Sequence, residues 1–170
     1  MVNKFDKSGK CAQEGDRAED LFVKIAEWKG LICKKSSKAD NIASHIDIIL
    51  DKQASDKTWS VDVKAMKKTS RSASSAQDQY VWIEFKNVQG NKGWLYGKAD
   101  IIAFELENTF ALVNRERLAD WCEKNVDMTK TVKSPAEAIK KVYTRKGRKD
   151  QISLIPIKEI GEFIQSSWDK

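Results

Sequence analysis

The chain has 170 residues, of which 41% are hydrophobic, and this size and composition suit one compact domain with its own core. It contains no run of about 18 apolar residues, so no membrane-spanning segment and no membrane partner are expected. The first residues lack the apolar stretch of a signal peptide, which favours a cytoplasmic location.

Cysteine, histidine and charge narrow the function classes. The three cysteines are scattered without a CxxC pair, which argues against a zinc site or a disulfide framework, and His45 is the only histidine. The formal net charge is +6, and residues 130–150 alone hold eight basic and two acidic side chains. Such a one-sided basic segment is the electrostatic footprint of a polyanion such as DNA, although a solvated basic hairpin without a ligand explains it equally well.

Helical and strand patterns alternate through the first two thirds of the chain. A helix over 16–29 has Asp16 as its N-cap and Glu19 in the capping-box position, with apolar residues at helical spacing. The Ser- and Gln-rich stretch 69–79 has little to bury and is predicted to be a mobile loop. Strands are predicted from period-two alternation or short apolar runs over 31–34, 44–50, 58–66, 80–88, 99–105 and 109–114.

The C-terminal part adds a helix over 115–124 and a last helix over about 157–167. Between them, two strands over 138–144 and 151–155 pair around the Lys146–Gly147 turn. Together the elements predict a single α/β domain with a central mixed β-sheet flanked by helices. Its core spans about 16–125, and a basic C-terminal hairpin and helix occupy about 130–168.

The residues with the clearest chemistry lie on the predicted strands over 44–50 and 58–66. If these strands pair antiparallel with the turn between Ala54 and Ser55, Ile48 faces Val61. In that register Asp47 is opposite Asp62, and His45 is opposite Lys64. These four polar side chains point to one face because side chains alternate along a strand.

Two aspartates directly opposite each other on paired strands need something that offsets the repulsion between their charges. Directly opposed Cβ atoms lie roughly 5 Å apart, so Asp47 and Asp62 repel unless a cation lies between them or one is protonated. Magnesium, with manganese as a substitute, prefers such oxygen ligands. Lys64 can place its ammonium near a phosphate oxygen or an attacking water. The alternative is an exposed sheet face on which Lys64 is an ordinary salt-bridge partner.

Asp47, followed after fourteen residues by Asp62-Val63-Lys64, resembles the PD-(D/E)xK (restriction-endonuclease-like) nuclease superfamily. The resemblance implies an α-β-β-β-α-β core and a magnesium-dependent DNA endonuclease, with Asp47 and Asp62 as metal ligands and Lys64 as the catalytic lysine. Many members add a glutamate from the preceding helix, and Glu19 matches that position as a catalytic metal ligand. As the capping-box partner of Asp16, Glu19 also has a structural explanation. The proline that often precedes the first acid is Ile46 here.

A second acid-x-lysine pair, Glu84-Phe85-Lys86, is a rival assignment in which Asp62 would be the lone acid. The segment around it, residues 82–100, resembles small phage-type members of the superfamily, which would place a phage-encoded enzyme in the host cytoplasm. Gln89 and His45 are accessory candidates, the latter for proton transfer or phosphate contact. A hydrogen-bonded strand histidine is the competing interpretation of His45.

Basic residues near the motif and in the C-terminal segment are the candidates for binding DNA phosphates: Lys67, Lys68, Arg71, Arg145, Lys146, Arg148 and Lys149. Tryptophans are more often core residues than base-stacking platforms, and Trp94, in a glycine-flanked turn, is the one to test for DNA contact. Three other functions stay open, namely a non-catalytic nucleic-acid-binding protein on a nuclease scaffold, an RNA nuclease and a structure-specific resolvase. Many enzymes of this kind act as homodimers.

Overall fold

The computed structural model describes residues 8–52, 55–70 and 72–170. This part of the chain contains three α-helices and ten strands, with four short 3-10 turns between them. The helices are α1 (Lys10–Trp28), α2 (Lys38–Ser44) and α3 (Arg115–Asn125). The strands are β1 (Leu31–Lys35), β2 (Ile48–Lys52), β3 (Thr58–Lys64), β4 (Tyr80–Lys86), β5 (Ile101–Glu105), β6 (Thr109–Asn114), β7 (Asp127–Val132), β8 (Lys141–Tyr143), β9 (Gln151–Pro156) and β10 (Ile164–Asp169).

The strands form two sheets. The larger sheet has the order β1-β2-β3-β5-β6-β10 and is mixed, because β3 and β5 are parallel while its other neighbours are antiparallel. The smaller sheet has the order β4-β9-β8-β7. The predicted α/β class with a mixed sheet is confirmed at this level. No helix within the described ranges is long and apolar enough to cross a membrane.

The two faces of the six-stranded sheet are covered differently. The apolar stripe of α1, including Ala18 and Phe22, packs on one face against Val61 and Val63 of β3. The other face packs against α3 and the four-stranded sheet. Since side chains alternate along β3, Asp62 lies on the face away from α1. The candidate acid therefore does not pack against this helix.

The register of β2 and β3 is the one predicted, with Ile48 opposite Val61 and Leu50 opposite Trp59. The strand begins four residues later than expected, however, because α2 occupies 38–44 and is capped by Ser37, whose hydroxyl accepts the Asp40 N–H at 3.1 Å. His45 ends α2 in a left-handed conformation (φ 53). The prediction that His45 lies on a strand opposite Lys64 is therefore wrong.

The crossover from β3 to β5 differs from the core pattern implied by the resemblance. Between these parallel strands the described chain holds β4 and one 3-10 turn (Trp94–Tyr96), where that pattern has an α-helix. Because β4 pairs with β9 in the smaller sheet, Glu84 and Lys86 do not lie on a strand adjacent to Asp62. The expectation that they line a neighbouring strand of the same sheet is therefore corrected.

The first helix begins earlier than predicted. It starts at Lys10 after Gly9, which adopts a left-handed conformation (φ 67), so Asp16 lies inside the helix and is not its N-cap. Its first turn, residues 10–13, is exposed and carries no large apolar side chain, so it gives no apolar periodicity to detect. The capping-box explanation for Glu19 is removed by this correction.

The last predicted helix, over about 157–167, is wrong. Two 3-10 turns, Ile157–Glu159 and Gly161–Phe163, bury Ile160 and Phe163, and the chain then continues as β10 along β6. Trp168 of β10 stacks on Phe22 with ring centroids 5.1 Å apart, so this strand closes the core beneath α1. The predicted pairing of the strands around residues 146–147 is confirmed by Tyr143 opposite Ile152.

A buried carboxylate joins the beginning of the fold to its end. Glu105, 3% exposed, accepts bonds from the Arg17 guanidinium at 2.5 Å and the Met66 N–H at 3.1 Å, and pairs with the Lys170 ammonium at 2.9 Å. Burial opposes ionisation, but these donors outweigh it and lower the pKa of Glu105 to about 2. The cluster therefore ties α1, the end of β3 and the last residue to β5.

Replacing Glu105 by Gln should destabilise the protein by about 2 kcal/mol at pH 7, because two cations lose their shared partner. Because the pKa of Glu105 in the folded protein lies below its usual value of 4.5, this stabilisation is complete above pH 4.5 and is lost as the pH falls from 4.5 towards about 2. Urea unfolding of the wild type and of Glu105→Gln at several pH values measures this difference in the free energy of unfolding. A difference that stays constant from pH 7 to pH 3 would contradict the ionised Glu105.

Candidate active site

Asp47 is fixed by groups from α2 and β3. Its N–H donates to the Val61 carbonyl at 2.9 Å, and its Oδ2 accepts the Val63 N–H at 2.7 Å. The Asn41 side-chain amide donates to the other oxygen, Oδ1. The Asp47 side chain is therefore buried at the point where the chain passes from α2 to β2.

Asp62 lies across from Asp47 on β3 and is 2% exposed. Its Oδ1 is 2.5 Å from the Lys64 Nζ, whereas its Oδ2 is buried and has no hydrogen-bond partner in the described chain. Burial raises the pKa of Asp62 to about 8, the nearby Asp47 adds to this increase, and Lys64 offsets only part of it. Without a bound cation the Asp62 carboxyl is therefore mainly protonated at neutral pH, and its Oδ2 faces no donor or cation among the described residues.

Lys64 is a partly buried cation held against an aromatic ring. Its Nζ lies 5.2 Å from the centroid of the Trp94 ring. Burial disfavours the ammonium, but Asp62 and Asp47 outweigh this cost, so the pKa of Lys64 is raised. Lys64 is therefore positively charged at neutral pH and directed towards both acids.

Glu19 reaches the same region from α1. Burial raises its pKa to about 7, and the next largest cause is the negative charge of Asp47. The Lys35 Nζ lies 4.0 Å from its Oε2. The structure thus brings the predicted helix glutamate into the electrostatic neighbourhood of Asp47.

Glu84 approaches from the four-stranded sheet. Its carboxylate accepts the Trp94 N–H and interacts with the Lys64 charge, while burial raises its pKa. A Cβ atom at Gly93 would fall 2.8 Å from the Glu84 Cγ, so glycine is needed where the two segments meet. Lys86 is exposed and makes no ion pair in the described ranges, so only Glu84 of the rival pair interacts with the site.

The two accessory candidates behave differently. His45 donates to the Lys92 carbonyl, and burial, reinforced by the charge of Lys64, lowers its pKa, so it is neutral at pH 7. It is a hydrogen-bonded residue at the edge of the site. Gln89 is exposed in the turn after β4, where its N–H donates to the Asn87 Oδ1 at 3.0 Å. No contact of Gln89 with the acids is formed within the described part.

The donor set is incomplete for a metal as the side chains stand. In the described ranges, no three His, Cys, Asp or Glu side chains are grouped closely enough to hold an ion. Asp47 and Asp62 form a close pair, and the Lys64 ammonium lies on one oxygen of Asp62. The arrangement therefore offers two buried acids, one Asp62 oxygen without a partner among the described residues, and the Lys64 ammonium.

The predicted phosphate-binding residues divide into paired and unpaired cations. Lys67 pairs with Glu14 at 3.1 Å, and Arg145 is held by the buried Asp150. Three others are exposed without an ion pair in the described ranges, namely Lys68, Lys146 and Lys149. Arg148 lies in the same hairpin, and Arg71 lies outside the described residues.

The basic hairpin reaches the vicinity of the site through the turn after β4. The Lys149 N–H donates to the Val88 carbonyl at 3.2 Å, and Arg145 interacts electrostatically with Glu84. The Trp94 side chain is 7% exposed within the core, which agrees with its interpretation as a core residue rather than a DNA contact. Asn41 was not among the predicted site residues, because no sequence signal marked the helix that carries it.

Comparison with protein-family models, with curated proteins and with solved structures found no match for this chain.

Proposed function

We propose that this protein is a divalent-metal-dependent DNA endonuclease that hydrolyses phosphodiester bonds. Its active site would be formed by Asp47, Asp62 and Lys64. The observation that carries the proposal is the buried pair Asp47–Asp62, whose unpartnered Asp62 Oδ2 lies beside the Lys64 ammonium. The PD-(D/E)xK resemblance supports the same assignment, since α1, β1, β2, β3 and the parallel β5 follow the order of that core. The strand-containing crossover would be a departure from it.

The residues fit a hard divalent cation. Asp47 and Asp62 would hold it, with Glu19 as the third candidate carboxylate. A buried oxygen without a donor, beside a second buried acid, is an arrangement that a cation would stabilise, because two carboxylates at this spacing repel. Bound magnesium supplies charge that polarises a phosphate oxygen and acidifies water.

The remaining chemistry belongs to side chains of the protein. The Lys64 ammonium donates to a non-bridging oxygen of the scissile phosphate and stabilises negative charge that develops there. The Trp94 ring and Glu84 hold Lys64 near Asp62, and Asn41 and the Val63 N–H hold Asp47. The exposed cations of the basic hairpin bind backbone phosphates, which predicts a steep decrease of affinity with salt.

Incubation of supercoiled plasmid with the wild-type protein tests this function. Nicked and linear products should form with magnesium or manganese and should not form with a chelator. Absence of cleavage for plasmid, single-stranded and branched DNA under all metal conditions would leave a nucleic-acid-binding protein as the alternative.

Replacing Glu84 by Gln should lower kcat about tenfold with little change in KM, because Lys64 loses its second carboxylate neighbour. Steady-state cleavage of a labelled oligonucleotide measures the split between the two constants. Lys86→Met is the matched control on the same strand and should cleave within about twofold of wild type. A loss caused by Lys86→Met that equals the loss caused by removing Lys64 would instead move the catalytic lysine to Lys86.

A further inference from the structure

The outer face of the four-stranded sheet carries an aromatic pair that the metal site does not use. Trp82 and Tyr143 are partly exposed, and their ring centroids lie 6.2 Å apart with planes inclined by 39°. The neighbours of Trp82 on β4, Val81 and Ile83, are buried in the core. Alternation along the strand therefore directs Trp82 and Glu84 to the opposite, outer face.

The aromatic pair lies across β9 next to the candidate site. Trp82 is opposite Leu154, while Ile152 is opposite both Glu84 and Tyr143. Glu84, which interacts with Lys64, is two residues from Trp82 and thus about 7 Å away along the strand. Glu84 therefore connects the strand that carries Trp82 to Lys64 of the candidate site.

Cations border the same face. Lys141 and Arg145 lie two residues before and two residues after Tyr143. Because Val142 is buried on one side of β8, Lys141 and Tyr143 share the other side of this strand. The Lys68 carbonyl accepts the Trp82 Nε1–H at 3.0 Å, and this bond fixes the indole ring. Lys68 and Lys141 are exposed and make no ion pair with any other part of the chain that the structure describes.

We propose that Trp82 and Tyr143 form a stacking platform for an unpaired base in a DNA strand whose neighbouring phosphate lies at Lys64. This proposal rests on the nuclease function and narrows its substrates to DNA with unpaired nucleotides, such as single strands, flaps and branched junctions. Aromatic rings bind any exposed base by stacking, and lysines follow the backbone. Bases inside a continuous duplex remain stacked on each other and offer no free face to the platform.

The test must separate stacking from packing, because Trp82 also covers Leu154. Trp82→Leu keeps an apolar cover and removes the ring, whereas Trp82→Phe keeps a ring. Trp28→Ala is the matched control, since this tryptophan is 85% exposed at the end of α1 on the other side of the large sheet. Binding is measured by fluorescence anisotropy with calcium, using labelled oligothymidylate and a duplex of the same length.

Trp82→Leu should weaken oligothymidylate binding about tenfold and change duplex binding less than about twofold, and Tyr143→Leu should act in the same direction. Trp82→Phe should keep most of the affinity, and Trp28→Ala should keep all of it. Wild-type affinity of Trp82→Leu and Tyr143→Leu for the single strand, or equal loss on both DNAs, would overturn the platform. Tighter binding of oligouridylate would overturn its assignment to DNA.

The two proposals fail separately. If the wild-type protein cuts no DNA but Trp82→Leu still loses single-strand binding selectively, the nuclease function fails and the platform stands as a binding site. If cleavage depends on Asp62 while Trp82→Leu binds oligothymidylate like the wild type, only the platform is overturned.

Discussion

Asp62→Asn should reduce magnesium-dependent DNA cleavage by about a thousandfold or more, because it removes one of the two carboxylates that would hold the metal. The substitution keeps the shape of the side chain and resembles its neutral, protonated form, so the metal-free protein should remain folded. Cleavage of plasmid and of branched DNA is measured beside a thermal unfolding curve for each protein.

Asp51→Asn is the matched control for this variant. Asp51 lies on β2 of the same hairpin, opposite Thr58 and away from the acids. The Asp51→Asn variant should therefore cleave DNA at a rate within about twofold of wild type. Addition of magnesium should raise the unfolding temperature of wild type and of Asp51→Asn but not of Asp62→Asn. Equal cutting by the Asp62 variant and the wild type would remove this site assignment.

Lys64→Met should reduce kcat by about a hundredfold or more while tightening the binding of calcium. The first effect follows from loss of the ammonium that would stabilise charge on the phosphate. The second follows because the Lys64 Nζ lies 2.5 Å from the Asp62 Oδ1 and competes with a metal for that oxygen. Methionine keeps an unbranched apolar chain against Trp94, so packing is preserved.

Isothermal titration with calcium gives the affinity, and single-turnover cleavage with magnesium gives the rate. Lys64→Arg distinguishes charge from geometry, since it keeps the cation but changes its shape and reach. Weaker calcium binding together with wild-type cleavage by Lys64→Met would contradict both roles of Lys64.

Local alternation was sufficient to predict the pairing of β2 with β3. A shift of one residue would have moved Ile48, Leu50 and Val61 out of the core, so the apolar face determines the register. The same argument placed Asp47 and Asp62 together. The supporting group on Asp47 was not predictable, because α2 is only seven residues long and has no apolar stripe.

Where the sequence patterns predicted the wrong element, contacts between residues far apart in the chain determine the secondary structure. Ile157, Ile160, Phe163 and Ile164 have helical spacing, but the edge of β6 and the ring of Phe22 stabilise a strand at the C-terminus instead. The assignment of β4 to a second sheet likewise depends on β9, about seventy residues later in the chain. No local pattern therefore indicated that Glu84 would interact with Lys64 from another sheet, or that Trp82, two residues from Glu84, would be partly exposed.

The central claim is that Asp47 and Asp62 hold a divalent cation. A crystal of the wild-type protein soaked in manganese, measured at an energy with strong anomalous scattering, locates the ion directly. The account predicts one anomalous peak within bonding distance of Asp47 and Asp62, adjacent to Glu19, with the Lys64 ammonium displaced from the Asp62 Oδ1. A site free of manganese with the Lys64–Asp62 ion pair intact, at a concentration that supports DNA cleavage, would contradict it.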